Sequence, residues 1–580
     1  MYSLDMFSAE ELFHNGNNIV SFYGYDYTGK HMTNKGITMA SLQDWFNEGD
    51  PSSKRDFSVI GASKPIRMAA YIQDKFAIKS LYFSLGLRLD IFDNNQPYVK
   101  DMFLYREAYT VKEAQAAGFI SSETYIPDFM NNSDNYYIYV QDATATSDVE
   151  ITAFRSGLTW YDAQGNEVTD AATLASAAGQ TNLMPLLKET PGPSDVSKVN
   201  YKAFADYTPT FKNGGITLSP RISFSFVVGE SSVFSASYNI VTNTASQRFN
   251  PLSYLYFEKY AGSSSTFSNP GLKPERSVDY EVGFQQGISK NLKVEFKAYY
   301  SEKRDQIVVY HYNQAYPVSY YSYTNMDFGT VQGFLLGLTM RKVKNISFRA
   351  SYTIQFAKGT GSDATSTLAL IRSGQPNLRT LTVLDYDQRH KIQLNLEYSF
   401  GFGPQYNGPK TTKATKDGSR SVEIKWLQGA GVSLNLGVGS GLPYTRSSVA
   451  YSTIVGQGSR SVEGAINGSR MPWVVDCNLQ VWKDFIFNLR KADDVKKAKP
   501  GYLRVYVAMM NLFGLKKIRS VYSYTGSPID DGFLTASDYQ KYIASQENVQ
   551  SFIDYYTIRM QGANAYGSPM TAELGVQFSF

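Results

Sequence analysis

Apolar side chains recur at every second position over long stretches of the chain. In residues 292–300, Leu, Val, Phe, Ala and Tyr alternate with Lys, Glu, Lys and Tyr, and residues 346–356 repeat the alternation with Ile, Phe, Ala, Tyr, Ile and Phe. A period of two places every member of such a set on one face of a β-strand. The pattern therefore predicts strands with one apolar face and one polar face.

The predicted strands are long. Strands of soluble proteins average about 5–6 residues, whereas a tilted strand that crosses a bilayer needs about 9–11. A soluble β-sandwich also produces alternation, but it does not explain many long strands with charged residues on the second face, which the polar interior of a membrane barrel does explain. We predict strands at 66–77, 80–92, 215–227, 231–242, 274–286, 291–301, 328–341, 344–357, 389–402, 429–442, 473–486, 501–514 and 571–580.

Short and long connections alternate between these strands. Short joins lie at 78–80, 229–231, 287–290 and 342–345, and long segments rich in small and polar residues lie at 93–214, 243–273, 302–327, 358–388, 443–472 and 515–568. Outer-membrane barrels have short periplasmic turns and long outer loops in this order. Two connections, 403–428 and 487–500, lie on the side of the sheet expected to carry the short turns, but they are longer than those turns. We therefore expect an all-β, transmembrane antiparallel barrel in 66–580, with 93–214 and 515–568 outside the cell and 1–65 as the remnant of another extracellular loop.

The last strand ends the chain on an aromatic residue. Its apolar face carries Ala572, Leu574, Val576, Phe578 and Phe580. This resembles the end of bacterial outer-membrane proteins, which implies that Phe580 is an assembly signal read by the outer-membrane assembly machinery. A sandwich edge is the alternative, but natural edge strands are usually blunted by charge or proline.

One motif lies at the entry to the strand that begins near residue 274. It consists of Asn269, Pro270, Gly271, Leu272, Lys273, Pro274 and Glu275, followed by Tyr-Glu-Val-Gly-Phe at 280–284. With Asp387-Gln-Arg-His390, Gly441-Leu-Pro-Tyr444 and Asn511-Leu-Phe513, it resembles the TonB-dependent outer-membrane receptors, in their Bacteroidetes form. Proline lacks the N–H that a ladder needs and fits before the paired region, so we expect a structural role for this motif rather than a ligand role.

The resemblance implies uptake of a nutrient across the outer membrane, driven by TonB acting on a plug domain, with a surface lipoprotein as a further candidate partner. Such receptors begin with a signal peptide and a plug, followed by a barrel of about 22 strands. Residues 1–65 show neither a plug nor the basic start and apolar core of a signal peptide. We therefore expect about 13–14 strands of a larger barrel, with a free edge at 66–77 or closure by a poorly formed strand at 18–29.

Tyrosine is concentrated in one predicted outer loop. Tyr310, Tyr312, Tyr316, Tyr320, Tyr321 and Tyr323 lie close together in the sequence. Tyrosine offers a flat apolar ring and a hydroxyl, and it binds ligands at a low cost in conformational entropy. These residues are the candidate ligand-binding set. The alternative is that the strands extend above the membrane and the rings form an interface belt.

Composition argues against an enzyme and a nucleic-acid binder. The chain has 56 basic and 52 acidic residues and a net charge of +4, which is too small to indicate nucleic acid. Aromatics reach 14%, with 44 Tyr and 35 Phe. A single cysteine excludes an internal disulfide and a cysteine-based zinc site. The four histidines lack metal-ligand spacing. A phosphate loop is not indicated at Gly359-Thr-Gly-Ser-Asp363, because this segment lacks the sequence Gly-Lys-Ser/Thr. A calcium site of the EF-hand type is not indicated either, because the acidic clusters at Asp90–Asn95 and Asp530–Asp531 lack the required spacing. We predict no catalytic residues, no metal and no cofactor.

Three functions remain open at this point. The first is an energy-dependent receptor and transporter in the outer membrane of a Gram-negative cell. The second is a passive outer-membrane channel or a surface-binding barrel. The third is a soluble, secreted β-rich binding protein, which would need no detergent. The identity of the substrate depends on the outer loops, which follow no general code.

Overall fold

The computed structural model of the chain describes residues 13–14, 17–18, 64–96, 98–121, 123–143, 147–188, 205–206, 215–244, 266–366, 368, 371, 380–414, 421–459, 461–488 and 500–580. Residues 19–29 of the poorly formed strand expected at 18–29, and most of the 1–65 segment, lie outside the described residues. Among the described residues of that segment, Phe13–His14 and Asn17–Asn18 form a small paired ladder.

Long antiparallel strands dominate the described part of the chain, and thirteen of them form one continuous sheet. Each pairs with the next in chain order. They are β1 (Ile66–Ile78), β2 (Leu81–Asp93), β3 (Ile216–Gly229), β4 (Ser232–Asn243), β5 (Glu275–Gly287), β6 (Leu292–Tyr312), β7 (Tyr320–Val343), β8 (Ile346–Gly359), β9 (His390–Ser399), β10 (Ala430–Gly439), β11 (Val474–Asn488), β12 (Pro500–Met510) and β13 (Thr571–Ser579). The expected all-β, antiparallel fold with many strands is confirmed. Among the described residues, β1 pairs only with β2, and β13 pairs only with β12.

Two predicted boundaries are wrong for identifiable reasons. The segment 302–327 is not a long loop, because β6 continues to Tyr312 and β7 begins at Tyr320, and His311 pairs with Tyr321 near the tip of this hairpin. The strand predicted to reach 514 stops at Met510. Asn511 adopts a φ of 50° there, and its side-chain oxygen accepts a hydrogen bond from the N–H of Leu515, 3.1 Å away.

The two faces of the sheet differ as the alternation predicts. Outward-facing Phe296 and Phe334 are 46% and 50% exposed and stack with ring centroids 5.9 Å apart. On the inner face, Tyr299 donates a hydrogen bond to Gln355 (3.1 Å), and Gly333 lies where a Cβ atom would collide with the Tyr299 ring. A barrel with a polar interior needs this division between its faces.

The tight turns lie at one end of the sheet. β1 and β2 are joined by Lys79–Ser80, and β7 and β8 by Lys344–Asn345, with φ near 55° at both lysines. The longer connection 403–428 contains a small hairpin, Lys410–Ala414 paired with Ser421–Lys425. The other end of the sheet carries the long connections.

Two of the long connections contain folded modules with helices. Between β2 and β3, helices α1 (Val111–Ala116) and α2 (Ala171–Ala177) accompany a five-stranded sheet of Met184–Pro185, Tyr137–Val140, Ile151–Ser156, Thr159–Asp162 and Glu167–Val168. Val111, Ile138, Phe154 and Leu186 belong to its buried core. Between β12 and β13, helices α3 (Gln540–Ala544) and α4 (Val549–Met560) enclose the buried side chain of Phe533.

Short elements complete the connections. They are Tyr98–Val99 paired with Ala205–Asp206, Thr266–Phe267, Thr382–Val383, Pro443–Tyr444 paired with Ser469–Arg470, Arg446–Ser447 paired with Val462–Glu463, and 3-10 turns at Gly403–Gln405, Ser537–Tyr539 and Ala563–Ala565. Within the described ranges, no helix has both the length and the apolar character needed to cross a membrane.

Candidate ligand-binding surface

The predicted tyrosine set lies on the hairpin formed by the ends of β6 and β7. Tyr312 and Tyr320 are directly opposite each other, and their rings stack with centroids 5.3 Å apart. These two side chains are 1% and 2% exposed. Tyr310, Tyr316, Tyr321 and Tyr323 are half-buried. The structure therefore brings the six tyrosines together on one hairpin and separates them into a buried pair and a more accessible group.

The buried pair packs against the module between β2 and β3. The Phe103 ring meets Tyr312 edge-on at 5.2 Å, and the Tyr320 hydroxyl donates to the carbonyl of Met102 (2.6 Å). The backbones also join, because the N–H of Tyr316 donates to the carbonyl of Phe103 at 2.8 Å. Gln314 at the hairpin tip accepts a hydrogen bond from the N–H of Leu183 (2.7 Å). The hairpin is thus a platform to which the folded module is fixed.

The motif at 269–275 attaches to the same hairpin. Asn269 donates to the carbonyl of Tyr323 (2.9 Å), and Asn325 bridges the two segments by accepting from the N–H of Lys273 (2.8 Å) and donating to its carbonyl (2.9 Å). Glu275 accepts a hydrogen bond from the N–H of Ile307 (3.0 Å). These contacts assign the motif a part in holding the hairpin.

The motif also contacts the start of the module. The carbonyl of Pro270 accepts a hydrogen bond from Asn94 (2.6 Å), and Leu272 is 2% exposed. Residues 266–267 run parallel to Tyr321–Ser322, and Phe267 meets the Tyr320 ring edge-on at 5.4 Å. The motif, the hairpin and the module therefore form one packed junction at the end of the sheet that carries the long connections.

A buried arginine lies at the centre of the module. Arg155 is 1% exposed, and it donates to the Asp101 carboxylate (2.7 Å), the Tyr139 hydroxyl (3.0 Å) and the carbonyl of Gly157 (2.8 Å). Burial alone would lower the pKa of Arg155, but the interactions with Tyr139 and Asp101 raise it. The pKa of Tyr139 rises to about 12 because the ring is buried. The guanidinium is therefore permanently charged, and Asp101 ties the module to the chain that leaves β2.

The inner wall of the sheet carries two groups of polar side chains that bond to one another. Asp279 accepts hydrogen bonds from Ser277 (2.9 Å) and Ser301 (2.5 Å). Lys297 forms ion pairs with Glu281 (3.0 Å) and Glu295 (3.4 Å). Because these side chains satisfy one another, the wall is polar without large single-sign charge. Such a surface suits contact with water, with a polar cargo or with a polar protein surface.

The other polar residues singled out in the sequence have local structural partners. His390 lies between the rings of Tyr352 (6.1 Å) and Trp473 (5.8 Å), and its Nδ1 is 2.8 Å from the Tyr352 hydroxyl. Asp90 pairs with Arg88 (2.8 Å), and Asp531 accepts a hydrogen bond from Tyr556 (2.5 Å). In the part of the chain that the structure describes, no three His, Cys, Asp or Glu side chains are grouped to hold a metal ion.

The expected assembly signal is accessible. Phe580 is 91% exposed and lies 5.6 Å from the Phe578 ring, on the outward face of β13. Phe578 stacks in turn on Phe487 of β11 at 5.8 Å. Recognition of Phe580 by assembly machinery remains a prediction.

The sequence predicts a long loop at 93–214, but the structure shows a folded module between β2 and β3. One local signal was present. Thr110 and Glu113 have the spacing of a capping box, and both of its hydrogen bonds form, from the N–H of Glu113 to Thr110 (3.3 Å) and from the N–H of Thr110 to Glu113 (3.0 Å). This box marks the start of α1.

Several solved structures resemble the chain at low sequence identity. The FrpB iron transporter from Neisseria meningitidis (F3-3 variant) is 11% identical with a TM-score of 0.35, over 83% of this chain and 45% of that one. FpvA of P. aeruginosa bound to heterologous pyoverdines is 9% identical with a TM-score of 0.36, over 89% and 48%. The outer membrane transporter YddB from Escherichia coli is 11% identical with a TM-score of 0.35, over 78% and 51%.

The chain thus spans about half the length of the solved structures it matches. No curated protein sequence matches it. A family model described as "TonB dependent receptor-like, beta-barrel" matches residues 3–440, which is most of the chain. Together with the antiparallel sheet and its two contrasting faces, this match confirms the resemblance to the TonB-dependent receptors, and the chain belongs to the TonB-dependent receptor-like β-barrel family.

Proposed function

We propose that this chain is the barrel part of a receptor that imports a nutrient across the outer membrane, using energy delivered through TonB to a plug domain. The outer membrane is the location that the family implies. The observation that carries the proposal is the contrast between the two faces of the strands. Phe296 and Phe334 face outward, whereas Asp279, Lys297 and Gln355 line the inner wall.

The hydrogen-bonded inner wall supports this role because a transport path needs polar groups that do not hold a cargo permanently. Lys297 is already shared by Glu281 and Glu295. A wall with neutralised charges gives a passing polar molecule weak and replaceable contacts. The same wall offers complementary polar groups to a plug domain.

We further propose that the accessible tyrosines of the hairpin contact the incoming ligand. Four of the six tyrosines are half-buried and retain some accessible surface, namely Tyr310, Tyr316, Tyr321 and Tyr323. The other two, Tyr312 and Tyr320, are buried against neighbouring side chains. Aromatic side chains with hydroxyl groups suit contact with sugars or peptides. A surface lipoprotein that covers this end remains a candidate partner.

Nutrient depletion in living cells tests the transport role whatever the substrate is. Cells with the complete receptor and cells lacking it are grown in a mixture of nutrients, and the medium is followed by mass spectrometry. We expect at least one compound to be depleted only by receptor-bearing cells, and depletion to stop without TonB or with a protonophore. Depletion that continues under both conditions would establish the passive channel instead.

The tyrosine proposal is tested on the same compound. Tyr321→Ala and Tyr323→Ala should slow its depletion, and Tyr238→Ala, on the outward face of β4, serves as the matched control. Equal depletion rates in all variants would exclude a ligand role for the hairpin. Fractionation checks the remaining alternative, since a soluble binding protein would be recovered without detergent.

A further inference from the structure

Three aromatic rings form an exposed cluster on the module between β2 and β3. The ring centroids of Phe129, Tyr136 and Tyr161 lie 5.9, 6.2 and 5.8 Å apart, and each pair meets edge-on. Tyr136 and Tyr161 pack against the module core on one side, while Phe129 is 57% exposed. We call these three residues the ring patch. Aromatic side chains are enriched at protein–protein contacts relative to the rest of a protein surface, so a group of three neighbouring rings is a candidate contact site.

The ring patch is held in place by the turn that follows Tyr161. Gly165 adopts a φ of 86°, which brings the turn against Pro127 and Phe129, with no room for a Cβ atom. Asp162 closes the turn by accepting hydrogen bonds from the N–H groups of Gln164 and Asn166, both 2.9 Å away. Because the turn is closed by its own hydrogen bonds, a partner that binds the patch orders little new chain, which favours binding.

The surroundings of the ring patch are acidic. The exposed Asp128 precedes Phe129, and the exposed Glu167 lies directly across the strand pair from Tyr161. Residues 93–188, which make up the module, contain thirteen Asp and Glu side chains and five Lys and Arg side chains, although the whole chain has a net charge of +4. Lys112 pairs with Asp134, Lys188 pairs with Glu107 and Glu113, and the buried Arg155 pairs with Asp101, so these three cations are engaged by other carboxylates than Asp128 and Glu167. The patch therefore lies in a negative field that repels anions and attracts cations.

We infer that the ring patch binds a basic segment of a partner protein, with an Arg or Lys side chain on the exposed ring surface and Asp128 and Glu167 pairing with its positive charge. Ring faces attract such cations, and carboxylates bind Arg in a bidentate manner. Phe129 stands out from the surface, and small-molecule sites are usually concave. Protein contacts, by contrast, are enriched in aromatic residues surrounded by a polar rim. This inference does not depend on transport, so its failure and the failure of the proposed uptake are separate results.

The test measures binding of a fluorescent peptide, Gly-Arg-Gly-Arg-Gly-Arg-Gly, to the full chain purified in detergent, by fluorescence anisotropy at 50 and 200 mM salt. The comparison peptide has Glu in place of each Arg. We expect binding of the arginine peptide alone, weaker at the higher salt. Phe129→Ser should lower the affinity by at least about fivefold, the scale on which interface anchor residues act. Asp128→Asn with Glu167→Gln should lower the affinity similarly and reduce its dependence on salt.

Matched controls separate the patch from general charge and from unfolding. Asp148→Asn removes one exposed carboxylate of the module outside the patch, and Leu158→Ser removes an exposed apolar side chain outside it. Both should change the affinity by less than about twofold, and all variants should keep the melting temperature of the unaltered chain. Equal binding of the two peptides overturns the inference, as does an affinity that Phe129→Ser leaves unchanged. An equal loss with Asp148→Asn would also overturn it, because the attraction would then be general.

Discussion

The Arg155 guanidinium lies 2.7 Å from the carboxylate of Asp101, and the Arg155 side chain is 1% exposed. This ion pair joins strand Ile151–Ser156 of the module to the segment that leaves β2. The Phe103 ring lies 4.8 Å from the same guanidinium and also contacts Tyr312 of the β6–β7 hairpin. The buried charge of Arg155 therefore contacts residues of the segment through which the module is attached to the barrel.

Removing the partner of this arginine should destabilise the module. Asp101→Asn leaves a buried guanidinium without its counter-charge, at a cost of about 3–5 kcal/mol. We expect faster amide hydrogen exchange in Tyr137–Val140 and Ile151–Ser156, with exchange in β9 and β10 unchanged. Lys112→Ala is the matched control, because the Lys112–Asp134 pair is exposed and contributes little to stability. Exchange that is equal in the two variants would contradict a stabilising role for the buried pair.

A charged residue introduced on the outward face of the strands should lower the stability of the folded protein, whereas removing a charged residue from the inner face should change it little. Phe296→Lys places an ammonium in lipid and should cost about 2–4 kcal/mol near the bilayer midplane. Lys293→Ala on the inner face should have little effect, since its contacts with Gln285 (3.3 Å) and Glu295 (3.7 Å) are long. Leu394→Lys and Gln393→Ala repeat the comparison on β9. Denaturant titration of the receptor folded into vesicles measures the difference, and equal responses from the two faces would exclude a membrane-embedded sheet.

The capping box should make the stability of the module depend on acid. Burial alone would raise the pKa of Glu113, but Lys188 and Thr110 together lower it below its ordinary value of 4.5. A lowered pKa means that Glu113 stabilises the fold above that value and that the contribution is lost as the pH falls below it. We expect Glu113→Gln to weaken the module at pH 7 and to flatten its loss of stability below pH 4.5, measured by thermal unfolding. Parallel acid profiles for the two proteins would show that Glu113 is not responsible.

Labelling of intact cells should reveal which end of the sheet faces the medium. Single cysteines are introduced at Ser176 and Gln550, in the two helical modules, and at Ser289, in the turn between β5 and β6. The natural Cys477 is 3% exposed and should not react. We expect a membrane-impermeant maleimide to label Ser176→Cys and Gln550→Cys but to label Ser289→Cys only after lysis. The reverse pattern would invert the orientation proposed for the barrel.

Period-two alternation was sufficient to predict the sheet. All thirteen predicted strands occur, because alternation depends only on neighbouring residues in an extended chain. The structural loop-end role of the motif at 269–275 stays a prediction; its residues form hydrogen bonds to Tyr323, Asn325 and Ile307. The resemblance to the TonB-dependent receptors was also visible in the sequence, because the motifs lie at strand entries that the alternation already marked.

Tertiary packing alone determined the remaining structure. Tyr312 and Tyr320 look equivalent to Tyr321 and Tyr323 in the sequence. In the structure, Phe103, more than 200 positions earlier, packs against Tyr312, and Phe267 packs against Tyr320. The folding of 93–188 into a module depends on residues such as Asp101 and Arg155, whose contact no local pattern indicates. Alternation is a property of adjacent residues and can be read from the chain, whereas burial and ion pairing depend on which distant segments meet.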